Sequence, residues 1–392
     1  MGATSSFAAV QEFMRRQQID GWLVYDFRGS NPVLGQLVPG KRFLTRRVML
    51  FIPAAGEPEL LVHGIDASQF AATALRKQGY LTWQDLHEWL RPRCAGKRVA
   101  MEYSPLGAIP VASMVDAGTV ELVRSLGGEV VSSADLVQVS VATWSAEAQA
   151  NHRRASDIVA RTKDEAFDLI RSAHRRGDAI DEHVVQQFIC KRFDDAGLEY
   201  PDPPIVGVNA HSGDPHFEVS ATSPAPIRPS DWVLIDLWAR VPGDQNIYSD
   251  ITWVGCCGEP TTRQREVFGV VKRARDACVE RAVQAWTARQ DIEGWQLDDA
   301  ARQIIIDAGF ERFIRHRTGH SLSPGPKVHG MGVNIDNLET HDTRRVLPGI
   351  GYTVEPGVYL PEFGVRQEIN VFVDPAKGPT ITSCVQDEIV RI

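Results

Sequence analysis

The sequence predicts a two-domain chain, an α/β domain over residues 1–142 followed by an α+β domain over 146–392. Three observations predict it. At 392 residues the chain is longer than a single hydrophobic core usually serves. Its N-terminal third alternates short apolar runs with amphipathic stretches, as α/β domains do. From Ser145 onward, long helical stripes alternate with hairpins rather than with single strands.

Taken in order, FAAVQEFMRRQQ (7–18) has helical periodicity, and GWLVYD (21–26), RRVMLFIP (46–53) and ELLVHG (59–64) read as strands. An amphipathic segment is expected around Ala67–Lys77, then the helical LHEWLRP, a strand at RVAMEYS (98–104) and a helix near Met114–Leu126. No chemical motif is visible in this half, and its histidines His63 and His87 stand alone. The boundary falls near Val141–Ser145. Beyond it, the run from Ala146 forms one long helix closed by Gly177, and 181–197 forms a second that also stops at a glycine. His211 and His216 follow in turn-rich sequence. Two further helices are expected over 265–286 and 297–309.

The formal net charge of −8 argues against a nucleic-acid binder that relies on a basic surface. No apolar run approaches the roughly 20 residues of a membrane span. The N-terminus lacks the order of a signal peptide, and Gly2 with Ser6 matches a myristoylation pattern only loosely. Six cysteines without CxxC spacing read as free thiols in a reducing cytoplasm, with no thiolate zinc site and no disulfide framework.

The chemistry gathers around the stretch 233–252, VLIDLWARVPGDQNIYSDIT, which reads as a hairpin around a Pro-Gly-Asp turn. Asp236 and Asp250 sit where core strands normally carry apolar residues. A buried carboxylate is costly unless a cation meets it. An arginine or a divalent metal would serve, carboxylate oxygens being good hard ligands. Further on, Glu355 and Glu368 interrupt strand-like runs in TVEPGVY and GVRQE, and HRTGH (316–320) with His329 forms a histidine-rich loop. On one sheet face, four carboxylates and His320 would make an oxygen-rich site for two metals about 3.5–4 Å apart. Such donors favour Mn²⁺ or Co²⁺, with Zn²⁺ also admissible.

These residues resemble, in order, the ligand set of the creatinase/prolidase/methionine-aminopeptidase family. The C-terminal domain resembles its pita-bread metallopeptidase fold, and the N-terminal domain resembles the smaller creatinase-type domain of prolidases and aminopeptidase P. The resemblance implies that Asp250 and Glu368 bridge two ions, Asp236 chelates one, and His320 with Glu355 the other. It implies a hydroxide-like water between the ions and Glu355 as general base. It assigns His216 and His329 to the scissile amide and its oxyanion, and His316 to the proline side. It further implies a homodimer that hydrolyses Xaa-Pro bonds in small peptides. Most like the chain are bacterial-type Xaa-Pro dipeptidases (prolidases), with Xaa-Pro aminopeptidase action on longer peptides as the alternative. A dipeptidase needs a cation for the substrate's free carboxylate, for which Arg344, Arg345 and Arg366 are candidates. Metal-free amidine hydrolysis on the same fold and a binding-only role are disfavoured, because all five ligand positions are retained.

The sequence departs from the family pattern in four places. The Asp236–Asp250 interval is fourteen residues rather than about eleven, with Trp238 where a glycine is common. Ile247 stands where a tyrosine is usual, and Tyr248 is displaced by one. Trp253 follows Thr252 where an arginine is usual. Extra residues between His320 and His329 add a Pro324-Gly325-Pro326 turn. All four changes are expected to reshape the pocket wall while leaving the ligands in place.

Overall fold

A computed structural model describes residues 3–40 and 42–392, with side chains from Phe7 onward. Gly2, part of the loose myristoylation pattern, lies outside the described residues. The chain forms two compact units, one ending at Thr143 and the other beginning at Trp144.

The first unit runs α1 (Ala3–Arg16), β1 (Gly21–Phe27), α2 (Pro32–Leu37), β2 (Arg47–Pro53), β3 (Glu59–His63), β4 (Arg76–Tyr80), α3 (Trp83–Cys94), β5 (Arg98–Met101), α4 (Ala117–Ser125), β6 (Glu129–Ser132) and α5 (Ala134–Val137). Its strands form one mixed sheet in the order β4-β3-β2-β1-β5-β6. The centre of that sheet, β1 and β2, is buried almost throughout, which is why its apolar runs are plain in the sequence. The amphipathic segment expected over Ala67–Lys77 is instead a 3₁₀ turn, Gly64–Phe70, followed by β4. Both β4 and β6 are edge strands with little burial. Their register comes from pairing with β3 and β5 rather than from an alternating pattern.

Glu102, just after β5, knits this unit together. Its carboxylate accepts from Trp22 Nε1 (2.6 Å), Asn31 Nδ2 (2.9 Å) and Ser133 Oγ (2.9 Å), linking β1, the cap of α2 and the start of α5. Burial pushes it up to about 7 despite those three donors. A raised carboxyl contributes stability below its unfolded value and loses it as pH rises through the folded one. The shift corresponds to roughly 3 kcal/mol lost between pH 4.5 and 8. Thermal unfolding of the Glu102→Gln chain is therefore expected to show a flatter pH dependence than wild type over that window. Parallel curves would contradict the assignment.

The second unit begins with α6 (Ala146–Arg176), α7 (Glu182–Asp195), β7 (Ile205–Val208), β8 (Trp232–Ala239), β9 (Ser249–Cys256), α8 (Thr262–Thr287) and α9 (Gly294–Asp307). It continues with β10 (Ser321–Leu322), β11 (Gly351–Val354), β12 (Gly357–Tyr359), β13 (Gly364–Arg366), β14 (Ile369–Asp374), β15 (Gly378–Ile381) and β16 (Val390–Arg391). Sheets of order β16-β9-β8-β7 and β10-β11-β14-β15 are joined by the small hairpin β12-β13. Ser145 caps α6 by accepting from Ala148 N–H, and Gly177 ends it with φ +76°. That left-handed turn is cheap only for glycine.

Helices α6 and α7 cover one face of β8 and β9. Val233, Ile235, Leu237, Ala239 and Ile251 share a core with Val159, Phe167, Ile170, Val185 and Ile189. Because side chains alternate across a strand, packing the odd-numbered residues on the helices turns the even-numbered ones to the opposite face. That face carries Asp236, Trp238, Asp250 and Thr252.

Candidate metal centre and active site

In the β8–β9 register Asp236 faces Thr252 and Trp238 faces Asp250, so the two aspartates are diagonal neighbours on one face. Asn370 fixes the backbone of Asp250 from both sides, its Oδ1 accepting from Asp250 N–H at 3.0 Å and its amide donating to Asp250 C=O. Glu368 enters from the segment between β13 and β14. Its N–H donates to Thr252 C=O (3.2 Å), and Thr252 Oγ1 donates to its Oε2 (2.8 Å).

His320 comes from the loop between α9 and β10. A Cβ on the preceding Gly319 would lie 2.0 Å from Thr353 C=O, so only glycine lets this loop approach β11. The His320 ring donates from Nδ1 to the Ser321 carbonyl at 3.1 Å. When the ring is neutral, that bond leaves the Nε2 lone pair facing Asp250 Oδ2 (3.5 Å) and Glu355 Oε1 (3.4 Å), the form a metal ligand needs. Ligand atoms of Asp250, His320 and Glu368 all lie within 4.8 Å of one another. Glu355 is held by its N–H to Thr318 C=O (2.7 Å) and by Thr353 Oγ1 donating to its Oε1 (3.0 Å).

The electrostatics fit a cation. Burial and mutual repulsion push Glu368 well above the usual carboxylate range, Asp236 up to about 7, and Asp250 upward. Asp236 Oδ1 is buried with no hydrogen-bond partner. Burial also opposes ionisation of Glu355, but His320, His316, Arg366 and His329 outweigh it and hold it below its ordinary value. For His320, burial is outweighed by Asp250 and Glu355, which raise it. Four clustered carboxylates with one imidazole lone pair form the donor set that hard divalent ions prefer.

The remaining candidates divide. His316 donates from Nδ1 to Arg317 C=O (2.7 Å) and accepts at Nε2 from the Tyr359 hydroxyl (2.6 Å). Burial lowers its pKa, in keeping with that neutral form. The His329 ring lies against His320, tilted by 34° with centroids 3.9 Å apart. The charge of His320, then burial, holds it down at about 3. His216 sits in an exposed turn, its N–H on Asp214 Oδ1 at 3.1 Å.

The arginines expected to read a substrate carboxylate each have partners within the chain. Arg344 is buried and donates from Nε (2.9 Å) and Nη2 (2.6 Å) to Asp342, and from Nη1 to Met331 C=O (3.0 Å). It staples its own loop. Arg345 bridges to Glu293 at the start of α9 and pairs with Asp291 at 3.5 Å. Arg366 is buried on Asp236 Oδ2, Thr252 Oγ1 (2.9 Å) and the Tyr359 hydroxyl (3.0 Å). Each guanidinium is already engaged.

Trp253 also differs from expectation. It lies on the helix-facing side of β9, where Lys163 Nζ sits 3.3 Å from its ring centroid, so it does not line the pocket wall. Thr252, Thr353, Asn370 and Tyr359 were not singled out from the sequence. Strand parity relative to Asp250 could have identified Thr252, whereas the other three depend on contacts between distant segments. His152, His174 and His211 bond to Tyr248 C=O, Ile227 C=O and Glu182 respectively, and burial lowers His152 to about 4. The cysteines are all free.

Metallopeptidase family M24 matches residues 150–375. That stretch is more than half of the chain, and the chain belongs to this family. Among curated relatives, the probable dipeptidase PepE of Mycobacterium tuberculosis is 30% identical over 189 residues, 47% of this chain and 45% of the relative. The Xaa-Pro dipeptidase of Lactobacillus delbrueckii subsp. lactis is 32% identical over 165 residues, 42% of this chain and 40% of the relative. The matched stretches thus span less than half of either relative. Dipeptidase PepE from Mycobacterium ulcerans superposes with a TM-score of 0.71 at 20% identity, covering 99% of this chain and 97% of that one. The prolidase from Pyrococcus horikoshii gives 0.64 at 21%, covering 98% and 100%. The fold is the α+β pita-bread arrangement, with the family match in its C-terminal part. No described helix is long and apolar enough to cross a membrane.

The raised carboxyls give a pH prediction. In metal-free protein their contribution to stability is present at low pH and is lost as pH rises through about 7, where Asp236 ionises. Mn²⁺ is expected to raise the melting temperature more at pH 8 than at pH 5, with proton release on binding. An equal gain at both pH values would contradict a cation at these carboxylates.

Proposed function

We propose that the chain is a dinuclear metallopeptidase that hydrolyses the Xaa-Pro bond, most readily in dipeptides. The observation that carries this reading is the convergence of Asp250, His320 and Glu368 within ligand reach, with Glu355 beside His320 and Asp236 on the same sheet face. The names of the Lactobacillus and Pyrococcus relatives support the dipeptide preference. Arg344, Arg345 and Arg366 have partners within the chain, so the preference rests on those names rather than on an arginine reading the substrate carboxylate.

In this reading Asp236, Asp250, His320, Glu355 and Glu368 hold two divalent ions, with Mn²⁺ favoured. When bound, such ions polarise the scissile carbonyl and make water a stronger acid. Glu355, kept ionised by the positive charges around it, accepts that proton on a carboxylate oxygen. Proline's nitrogen is tertiary and leaves poorly unless protonated, so Glu355 then delivers the proton there. Neutral His329, with His216, donates to the carbonyl oxygen as negative charge grows on it. The Arg366–Tyr359–His316 chain fixes one flank of the site: Arg366 donates to Tyr359, and Tyr359 to His316.

Asp250→Ala and Glu368→Ala are each expected to lose more than ~100-fold in metal affinity, beyond the effect of removing an outer-shell partner, and to abolish turnover. Calorimetry with Mn²⁺ and assays on Xaa-Pro dipeptides and Xaa-Pro-Xaa tripeptides check this. Wild-type activity in either variant would contradict the site. Tripeptide cleavage comparable to dipeptide cleavage would favour an Xaa-Pro aminopeptidase. A homodimer belongs to the same reading, and a single monomeric species by light scattering would contradict it.

A further inference from the structure

His216 is carried by a loop, residues 209–224, whose two ends are held by one carboxylate. Glu182, in the first turn of α7, is wholly buried. Its Oε1 accepts from Val208 N–H at the end of β7 (2.8 Å), and its Oε2 from Ala225 N–H where the loop returns (3.1 Å). Backbone bonds close the same neck: Glu182 N–H donates to Ala225 C=O (3.1 Å) and Ile227 N–H to Ile180 C=O (2.9 Å). Compact loops with adjoining ends and internal packing of their own are frequent carriers of functional groups.

His211 ties the interior of the loop to that neck. Its Nδ1 donates to both oxygens of Glu182, at 2.8 and 3.1 Å. A carboxylate only accepts, so the ring is fixed with a proton on Nδ1. The imidazole is stacked on Phe217, with centroids 4.2 Å apart and 24° between the planes. Phe217 directly follows His216. On the other side of His216, Arg366, itself anchored on Asp236, donates from Nη1 to Pro215 C=O at 3.4 Å. Both neighbours of His216 are therefore held, one from the acidic face and one from buried Glu182. Among the described residues the His216 imidazole has no hydrogen-bond partner, so its placement comes from those neighbours. It is close enough to His329 for its charge to lower that residue's pKa, after the larger effects of His320 and burial.

We propose that His211 is a positioning residue for peptide hydrolysis: by strapping Phe217 to the Glu182 carboxylate, it holds His216 ready to donate to the scissile carbonyl oxygen. This rests on the Xaa-Pro reading and on the role of His216 in it. A donor to a developing oxyanion is effective only when its geometry is set before the charge appears. A displacement of about 1 Å can cost on the order of 100-fold in rate. His216 lies on an exposed turn, where its own side chain supplies no such constraint. The strap supplies it: Glu182 is immobile because it is buried and saturated with donors, and the stack fixes the plane of Phe217 against His211. Neither His211 nor Glu182 bonds a candidate metal ligand, so the strap acts on the reaction through His216 and not through the ions.

The test uses the full-length, Mn²⁺-loaded wild type, His211→Ala and Phe217→Ala, each with and without His216→Ala, assayed on an Xaa-Pro dipeptide. His211→Ala and Phe217→Ala should each lower kcat by about tenfold or more. KM and Mn²⁺ affinity should stay within about twofold of wild type, because the contact they support forms in the transition state. With His216→Ala already present, adding either substitution should change kcat by less than about twofold, since the group they position is gone. Hydrogen exchange over residues 209–217 of the metal-free protein should be faster in both variants than in wild type. Equal fold losses with and without His216 overturn the positioning role, and unchanged exchange overturns the strap. If His211→Ala does not fold with Glu182 left unpaired, Phe217→Ala leaves that pair intact and decides by the same comparison; wild-type kcat in it overturns the proposal. Failure of metal-loaded wild type to cleave any Xaa-Pro dipeptide overturns the Xaa-Pro reading. Wild-type kcat in His216→Ala alone overturns the role of His216. Either result takes the positioning role of His211 with it.

Discussion

Negative charge buried on one face of a β-sheet is the constraint on which the second unit depends. Asp236, Asp250 and Glu368 are each almost wholly buried, and an ionised carboxylate taken out of water demands a cation or a proton. The protein itself supplies only part of the answer. Arg366 compensates one oxygen of Asp236, and His320 faces Asp250 and Glu355. Burial, and then the like charges around them, still pushes Asp236, Asp250 and Glu368 upward. A fold that tolerates this arrangement trades stability for a ready-made cation site, a trade common where function is concentrated.

Much of the surrounding structure holds those charges in register. The core shared by α6, α7, β8 and β9 consumes the odd-numbered strand residues, which commits the even-numbered ones to the acidic face. Asn370 clamps the backbone at Asp250, Thr252 bonds both Glu368 and Arg366, and Thr353 bonds both His320 N–H and Glu355. A threonine can do this because one hydroxyl both donates and accepts. Such short polar side chains position the carboxylates with little freedom to relax, and metal or not, the site is pre-organised.

The central strands and long helices were legible because burial writes a pattern into a sequence: near-continuous apolar runs in β1, β2 and β8, a stripe from Ala148 to Ala173 along α6. The edge strands β4 and β6 were not, because a strand exposed on an edge needs a partner but no apolar pattern. At the site, charged residues interrupting apolar runs exposed Asp236, Asp250, Glu355 and Glu368. Their chemistry is costly there, so their presence is informative. Arginine carries no such signal. Arg344 and Arg366 looked available on paper, and only the folded chain shows Asp342 and Asp236 consuming them.

By itself, the sequence determined the family pattern, the spacing of the candidate ligands and the carboxylates set into strand-like runs, because those properties are local. Tertiary structure alone decided which cations are spent, which ring nitrogen of His320 faces the carboxylates, and that the loop around Asp244 and the turn at Gly325 are bonded together through Arg240. Those outcomes depend on contacts between segments some eighty residues apart, as between Arg240 and Gly325. No local propensity or spacing encodes them; they follow from how the chain closes on itself around a charge it cannot leave uncompensated.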